Sequence, residues 1–227
     1  MSLDLRRVDR ETIQERVYVA LRDKLMRGAF EPGQKLKLAA LAEAFGTSPM
    51  PVREALNRLT AERGLTALPN RTVQVPSLSK ECLQELREAR FAVEGLAVFR
   101  AAANMTSDTL LELEELISAQ GLTDDNHVSE GSAEQNRAFH FTIYRKAQST
   151  VLLPIIESLW LQFGPYLRAA SEKFDGRTEK STNFHTAIVE ALGRRDGAGA
   201  RAALEADIGR SFDIVMADDS LWARGAA

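Results

Sequence analysis

From Thr12 onward apolar residues recur at helical spacing, at Ile13, Val17, Leu21 and Leu25. Glu15 lies three residues after Thr12, as in a capping box, and Gly28 supplies a stop, so a helix is predicted between them. Phe30 to Leu38, centred on Glu31-Pro32-Gly33, reads as a turn. A short amphipathic segment follows, Leu38 to Phe45, and only Gly46-Thr47 separates it from a second one that opens at Ser48. Ser48 is a good N-cap, and Pro49 and Pro51 fall in the first turn, where missing amide donors cost little. In the helix so started, predicted to run to about Arg63 and end at Gly64, Val52, Ala55, Leu56 and Leu59 share one face. Met50, Arg53 and Asn57 project from the other. Two helices across so short a turn have the spacing of a helix-turn-helix, one face packing and the other free to read DNA. Leu65 to Val75 then holds two β-prone runs around Pro69-Asn70-Arg71, which predicts a hairpin with Arg71 at its tip. Helices plus a hairpin make a winged helix, whose wing can reach a phosphate or the minor groove.

After Pro76 the pattern changes to helical periodicity with almost no strand signal. Helices are predicted over roughly 79–103, 107–120, 132–147, 150–173, 178–193 and 196–219. Gly121 to Gly131, containing His127, reads as the longest loop, and Gly164-Pro165 should kink the helix that holds it. The expected fold is therefore mainly α: an N-terminal winged helix-turn-helix over residues 1–76 and a C-terminal all-helical bundle over 77–227.

Charge sharpens this division. The net charge of −3 is unusual for a DNA binder, but residues 1–76 hold 13 Lys/Arg against 9 Asp/Glu, whereas 77–227 hold 16 against 23. The halves carry 13 − 9 = +4 and 16 − 23 = −7, so the acidic part turns the basic part toward phosphate. A hydrophobic share of 44% excludes disorder as the class. The lone Cys82 has no partner for an internal disulfide, and neither a leader nor a long apolar run is present, so a cytoplasmic protein without a membrane partner is expected.

Polar residues interrupt the apolar stripes of the second half. On the stripe of Leu83, Leu86, Val93 and Ala97 stand Arg90 and Glu94; this is either an i, i+4 ion pair or an arginine placed to receive a ligand carboxylate. Asn136 and His140 share a face with Ile143, His185 sits among Phe184, Ile188 and Leu192, and Asp207 lies on the stripe of Leu204 and Ile208. Each histidine alone reads as core. Together, on separate helices, they suggest one convergent site, because metal ligation satisfies several buried polar groups at once. Trp160, Phe163 and Tyr166 are placed to line the pocket or the dimer seam, but their helical spacing favours core packing.

Arg27-Gly28, Pro32-Gly33, Leu41-Ala42, Ser48, Pro51-Val52-Arg53-Glu54-Ala55-Leu56 and Gly64-Leu65 resemble the N-terminal domain of GntR-type transcriptional regulators over nearly all of residues 12–76. The resemblance implies a homodimer that reads an inverted-repeat operator in double-stranded DNA. By position, Arg53 would read a base, with Ser48 and Met50 beside it, and Asn57 and Arg71 available for further contacts. Pro49 stands where the family has an arginine, and Leu38-Ala39 where it often has a charged residue, so the operator should differ from the common pattern.

Residues 79–219 are similar to the FCD effector domain of the FadR branch, through Arg90, Glu94, Phe139-His140, His185, Ala187-Ile188, Ala191 and Ala200-Arg201-Ala202-Ala203. That similarity implies a divalent metal and a small carboxylate effector. The ligand positions fall on Asn136, His140, His185 and Asp207, with Arg90 and Asn136 as effector contacts. Asn136 replaces the usual Asp and Asp207 the usual His, so the carboxylate has moved rather than vanished. The set suits Zn, Ni, Mn or Fe(II), and a metal-free pocket is the alternative. The resemblance implies a ligand-responsive regulator, most simply a repressor. The competing reading, a metal-dependent enzyme fused to a DNA-binding domain, lacks a recognisable general base or nucleophile, and a nucleoid protein would leave the large acidic domain unexplained.

Overall fold

The protein is described here by a computed structural model covering residues 12–69, 72–124, 130–172 and 181–222. Helix α1, Ile13–Met26, begins where Thr12 Oγ1 accepts the amide of Glu15. It ends in a Schellman motif: Gly28, at φ 72°, bonds to Leu25 O, and Ala29 to Lys24 O. The Glu31-Pro32-Gly33 turn is followed by strand β1, Lys35–Leu36, which sequence periodicity did not disclose. Helix α2, Leu38–Ala44, and helix α3, Pro49–Ala61, flank the turn through Gly46, whose φ is 60°. Strands β2, Thr66–Ala67, and β3, Val73–Gln74, form the expected hairpin. It pairs antiparallel with β1 on its other edge, giving the order β1-β3-β2 and the register Lys35 opposite Gln74.

Helix α3 stops earlier than expected. Its cap is Glu62, and Arg63, rather than glycine, takes the left-handed position at φ 62°. Gly64 then bonds to Leu59 O and Arg63 to Thr60 O, so the termination is again a Schellman motif, shifted one residue back. Glu62 accepts the Tyr18 hydroxyl and the Arg58 guanidinium, and Arg58 lies 3.5 Å from the Tyr18 ring centroid; these contacts tie α3 to α1. Ser48 is at the N-cap with extended backbone but makes no side-chain cap bond. The reason is local: a capping oxygen accepts from the second or third helical amide, and Pro51 at the third position has none.

The second half contains α4 (Lys80–Ala101), a 3₁₀ turn (Ala102–Asn104), α5 (Ser107–Asp124), α6 (Glu130–Lys146), α7 (Leu152–Glu172), α8 (Ser181–Gly193), α9 (Gly197–Ala217) and α10 (Asp219–Trp222). Boundaries differ from expectation by a few residues, and the loop expected from Gly121 is helical at its start, as α5 runs to Asp124. His127 lies outside the described residues. Helix α4 packs on α9, α6 and α7, while α8 packs on α9 and α5. No helix among the described residues is long and apolar enough to cross a membrane.

The two halves share one continuous apolar core, joined where α1 meets α7. Gly164 of α7 lies against the end of α1: a Cβ there would come within 2.9 Å of Leu25 C and Met26 Cα, and closer still to the Leu25 carbonyl oxygen. Ser158 Oγ donates to Glu62 O at 2.9 Å, Arg22 pairs with Glu157 at 2.6 Å, and Leu78 N donates to the Tyr166 hydroxyl. The Gly-Pro step in α7 thus has a packing role.

Candidate functional site

The buried polar groups of α4, α6, α7, α8 and α9 converge. Glu94, fully buried, accepts two bonds from Arg90, one from the Tyr144 hydroxyl and one from Trp160 Nε1 at 3.1 Å. Arg90 and Glu94 thus form an i, i+4 ion pair. Its guanidinium also lies 4.9 Å from the Trp160 ring centroid and 5.1 Å from that of Phe163. Burial disfavours the charge on Arg90, but Glu94 and then Tyr144 and Asp207 outweigh this and raise its pKa. Tyr144 is pushed well above its ordinary value by burial and by the Glu94 charge, which keeps its proton on the hydroxyl.

The Tyr144 hydroxyl, having donated to Glu94, presents its lone pair to His140 Nδ1 at 3.3 Å. His140 Nε2 in turn faces Asp207 Oδ2 at 3.2 Å, and His185 Nε2 faces the same oxygen at 3.8 Å. One ligand atom from each of His140, His185 and Asp207 lies within 4.8 Å of the others, and all three residues are buried. The His185 ring stacks on Phe139, centroids 4.1 Å apart, and both its nitrogens are buried without a hydrogen-bond partner among the described residues. Burial lowers its pKa to about 4, with His140 and Arg210 adding to the effect against Asp207, so the ring is neutral near pH 7 with a lone pair to give. At Asp207 burial acts upward, but His185, His140 and Arg210 together hold the carboxyl below its usual value.

Asn136 is half-buried, one turn before His140 on the same helix. It stands beside the ligand cluster along α6 rather than on a separate element. In the N-terminal half Ser48, Met50, Arg53 and Asn57 are all exposed, on the side of α3 opposite the buried Val52, Ala55, Leu56 and Leu59. Arg53 makes no ion pair among the described residues. Arg71 lies outside the described residues.

Residues 13–75 match the bacterial regulatory proteins of the gntR family, and residues 85–210 match the FCD domain. The chain belongs to the GntR family and carries an FCD domain. As a GntR regulator it is 35% identical over 187 residues to the HTH-type transcriptional regulator McbR of Escherichia coli K12, covering 81% of this chain and 84% of that protein. It is 28% identical over 147 residues to the HTH-type transcriptional repressor GlaR of the same organism, covering 63% of this chain and 67% of that protein. The solved structure of E. coli McbR/YncC matches with a TM-score of 0.84 at 30% identity, over 91% of this chain and 98% of that one. A regulator from Rhodococcus sp. RHA1 matches in fold, with a TM-score of 0.71 at 22% identity over 89% of this chain and 96% of the other. The expected mainly helical architecture and DNA-binding regulatory function follow, and these relatives are named as regulators rather than enzymes.

Within this GntR fold, the sequence reading missed Tyr144 and Trp160 as members of the buried polar network. Tyr144 could have been found from its position one turn after His140 on the same face. Trp160 carried no such signal, since its spacing is equally that of core.

Proposed function

We propose that this GntR regulator is a homodimeric, ligand-responsive repressor, with a DNA-binding domain over 1–76 and an effector and dimerisation domain over 77–227. The observation that carries the ligand-responsive reading is His185: two buried ring nitrogens, partnerless among the described residues, beside His140 and Asp207. An unmade buried hydrogen bond costs about 1–3 kcal/mol, which a bound cation removes. The donor set fits a divalent metal such as Zn, Ni, Mn or Fe, held by His140, His185 and Asp207, with the Asn136 oxygen as a weaker contact. When bound, the metal would supply a Lewis-acidic anchor for a carboxylate effector. Tyr144 accepts His140 Nδ1–H and so leaves Nε2 as the ligating nitrogen. Arg90, held in place by Glu94, adds positive charge next to the cluster for the same effector.

In this reading Arg53 reads a base edge in the major groove with Ser48, Met50 and Asn57 beside it, and Arg71 reaches the flanking backbone. Two-fold symmetry of the dimer matches an inverted repeat, and occupancy of that site excludes transcription machinery. Such DNA contact places the protein in the cytoplasm with the chromosome. Elemental analysis of protein purified without a tag, followed by thermal melts with and without chelator, tests the metal. Stoichiometric metal and a melting temperature lowered by chelator are expected. Absence of metal together with no stabilisation by added Zn, Ni or Mn rejects it.

A further inference from the structure

The helix that carries His140 also lines a cleft, three residues earlier at Arg137. This cleft of about 670 Å³ opens between α1, the Gly46-Thr47 turn that leads into α3, and Arg137 of α6. Its lining includes the apolar Ile13, Val17, Val19 and Phe45, of which Ile13 and Val19 are 59% and 47% exposed, and the basic Arg16, Arg22, Arg27 and Arg137.

These arginines are incompletely matched. Asp23 in the wall pairs with Arg27 at 2.6 Å and with Arg137 at 3.0 Å, Glu134 pairs with Arg27, and Glu157 with Arg22. Among the described residues Arg22, Arg27 and Arg137 are thus matched by three carboxylates while Arg16 makes no ion pair, leaving 4 − 3 = +1. The Nε–H groups of Arg22, Arg27 and Arg137 are buried and have no acceptor among the described residues. Buried donors in excess, next to exposed apolar surface, call for a ligand that carries both an acceptor headgroup and an apolar body.

We propose that this cleft binds a small amphipathic organic anion, its single negative headgroup on the guanidinium of Arg16 within the cluster of Arg22, Arg27 and Arg137 and its body against Ile13, Val17, Val19 and Phe45. Such a ligand touches α1 and the turn before α3 on one side and α6, which carries His140, on the other. It therefore clamps the DNA-reading elements to the effector bundle, independently of any metal.

Fluorescence titration of the full-length protein with 8-anilinonaphthalene-1-sulfonate tests this, since the probe is an apolar body bearing one sulfonate. One saturable site per chain is expected on folded protein. Arg137→Ala removes part of the headgroup site and Ala20→Trp fills the cleft; each should weaken the probe at least tenfold while retaining the parent's circular dichroism. Should Arg137→Ala fail to fold, Ala20→Trp alone decides. Dodecanoate should displace the probe, and dodecyltrimethylammonium should not. No saturable binding, unchanged affinity in Ala20→Trp, or equal displacement by the cation overturns the proposal. Probe affinity that falls as protein concentration rises also overturns it, assigning the cleft to a second copy of the chain.

Discussion

Gly164→Ala adds one methyl group at the point where α7 crosses the end of α1. Its carbon would fall within 2.9 Å of Leu25 C and Met26 Cα, about 1 Å inside ordinary carbon–carbon contact. The obstructing atoms belong to backbone, so no rotamer change relieves the overlap and the helices must separate by roughly that distance. Overpacking of this kind costs about 1–3 kcal/mol, and rigid neighbours place it in the upper part of that range. Alanine regains about 1 kcal/mol of helix propensity over glycine, leaving a net loss of about 1–2 kcal/mol. Urea unfolding followed by circular dichroism measures this as a lower midpoint with unchanged slope. Gly193→Ala serves as control, because its methyl would meet only Leu110 Cδ1 at 3.8 Å. If Gly164→Ala is as stable as the parent, the α1–α7 contact does not set the spacing of the two halves.

Glu94→Ala leaves Arg90 as an uncompensated buried charge and orphans the Tyr144 and Trp160 donors, so a loss of about 3–5 kcal/mol is expected in denaturant unfolding; less than 1 would contradict the network. Arg53→Ala should remove about 1–3 kcal/mol of operator discrimination in a mobility-shift titration while leaving the melting temperature unchanged, since Arg53 is exposed and opposite the packed face. Stability of the metal-free protein should fall in acid: His185 has a pKa of about 4 when folded and near 6.5 when unfolded, so below pH 6.5 the unfolded chain binds the extra proton. The loss, roughly 3 kcal/mol by pH 4, is tracked by melts across that window, and His185→Phe should flatten it.

How much was legible depended on the range of the interaction. The helix-turn-helix and the bundle helices are written in local periodicity, which is why α1, α3 and α4 were found nearly to their ends. Strand β1 has two residues and exists because Lys35 and Leu36 meet Gln74 and Val73, a long-range pairing that leaves no period. The convergence of His140, His185 and Asp207 was inferable because three polar groups on core-facing stripes must find partners. Which partner Arg90 takes was not, since the ion pair and the free arginine have the same spacing. Gly164-Pro165 was read as a kink only, because the reason for the glycine is the Leu25–Met26 backbone, 164 − 25 = 139 positions away and beyond reach of any local pattern. Ser48 showed the opposite failure: a good capping residue for which Pro51 removed one of the amide donors its side chain accepts from.

Operator affinity measured as a function of effector tests the account most directly. Full-length, metal-loaded protein is titrated by fluorescence anisotropy against its selected inverted-repeat DNA, alone and with each of a series of small mono- and dicarboxylates. At least one carboxylate should shift the operator affinity tenfold or more in the parent protein, and neither Asp207→Ala nor chelator-treated protein should respond. If no carboxylate changes the affinity, or if Asp207→Ala responds as the parent does, the His140, His185 and Asp207 cluster is not the effector site.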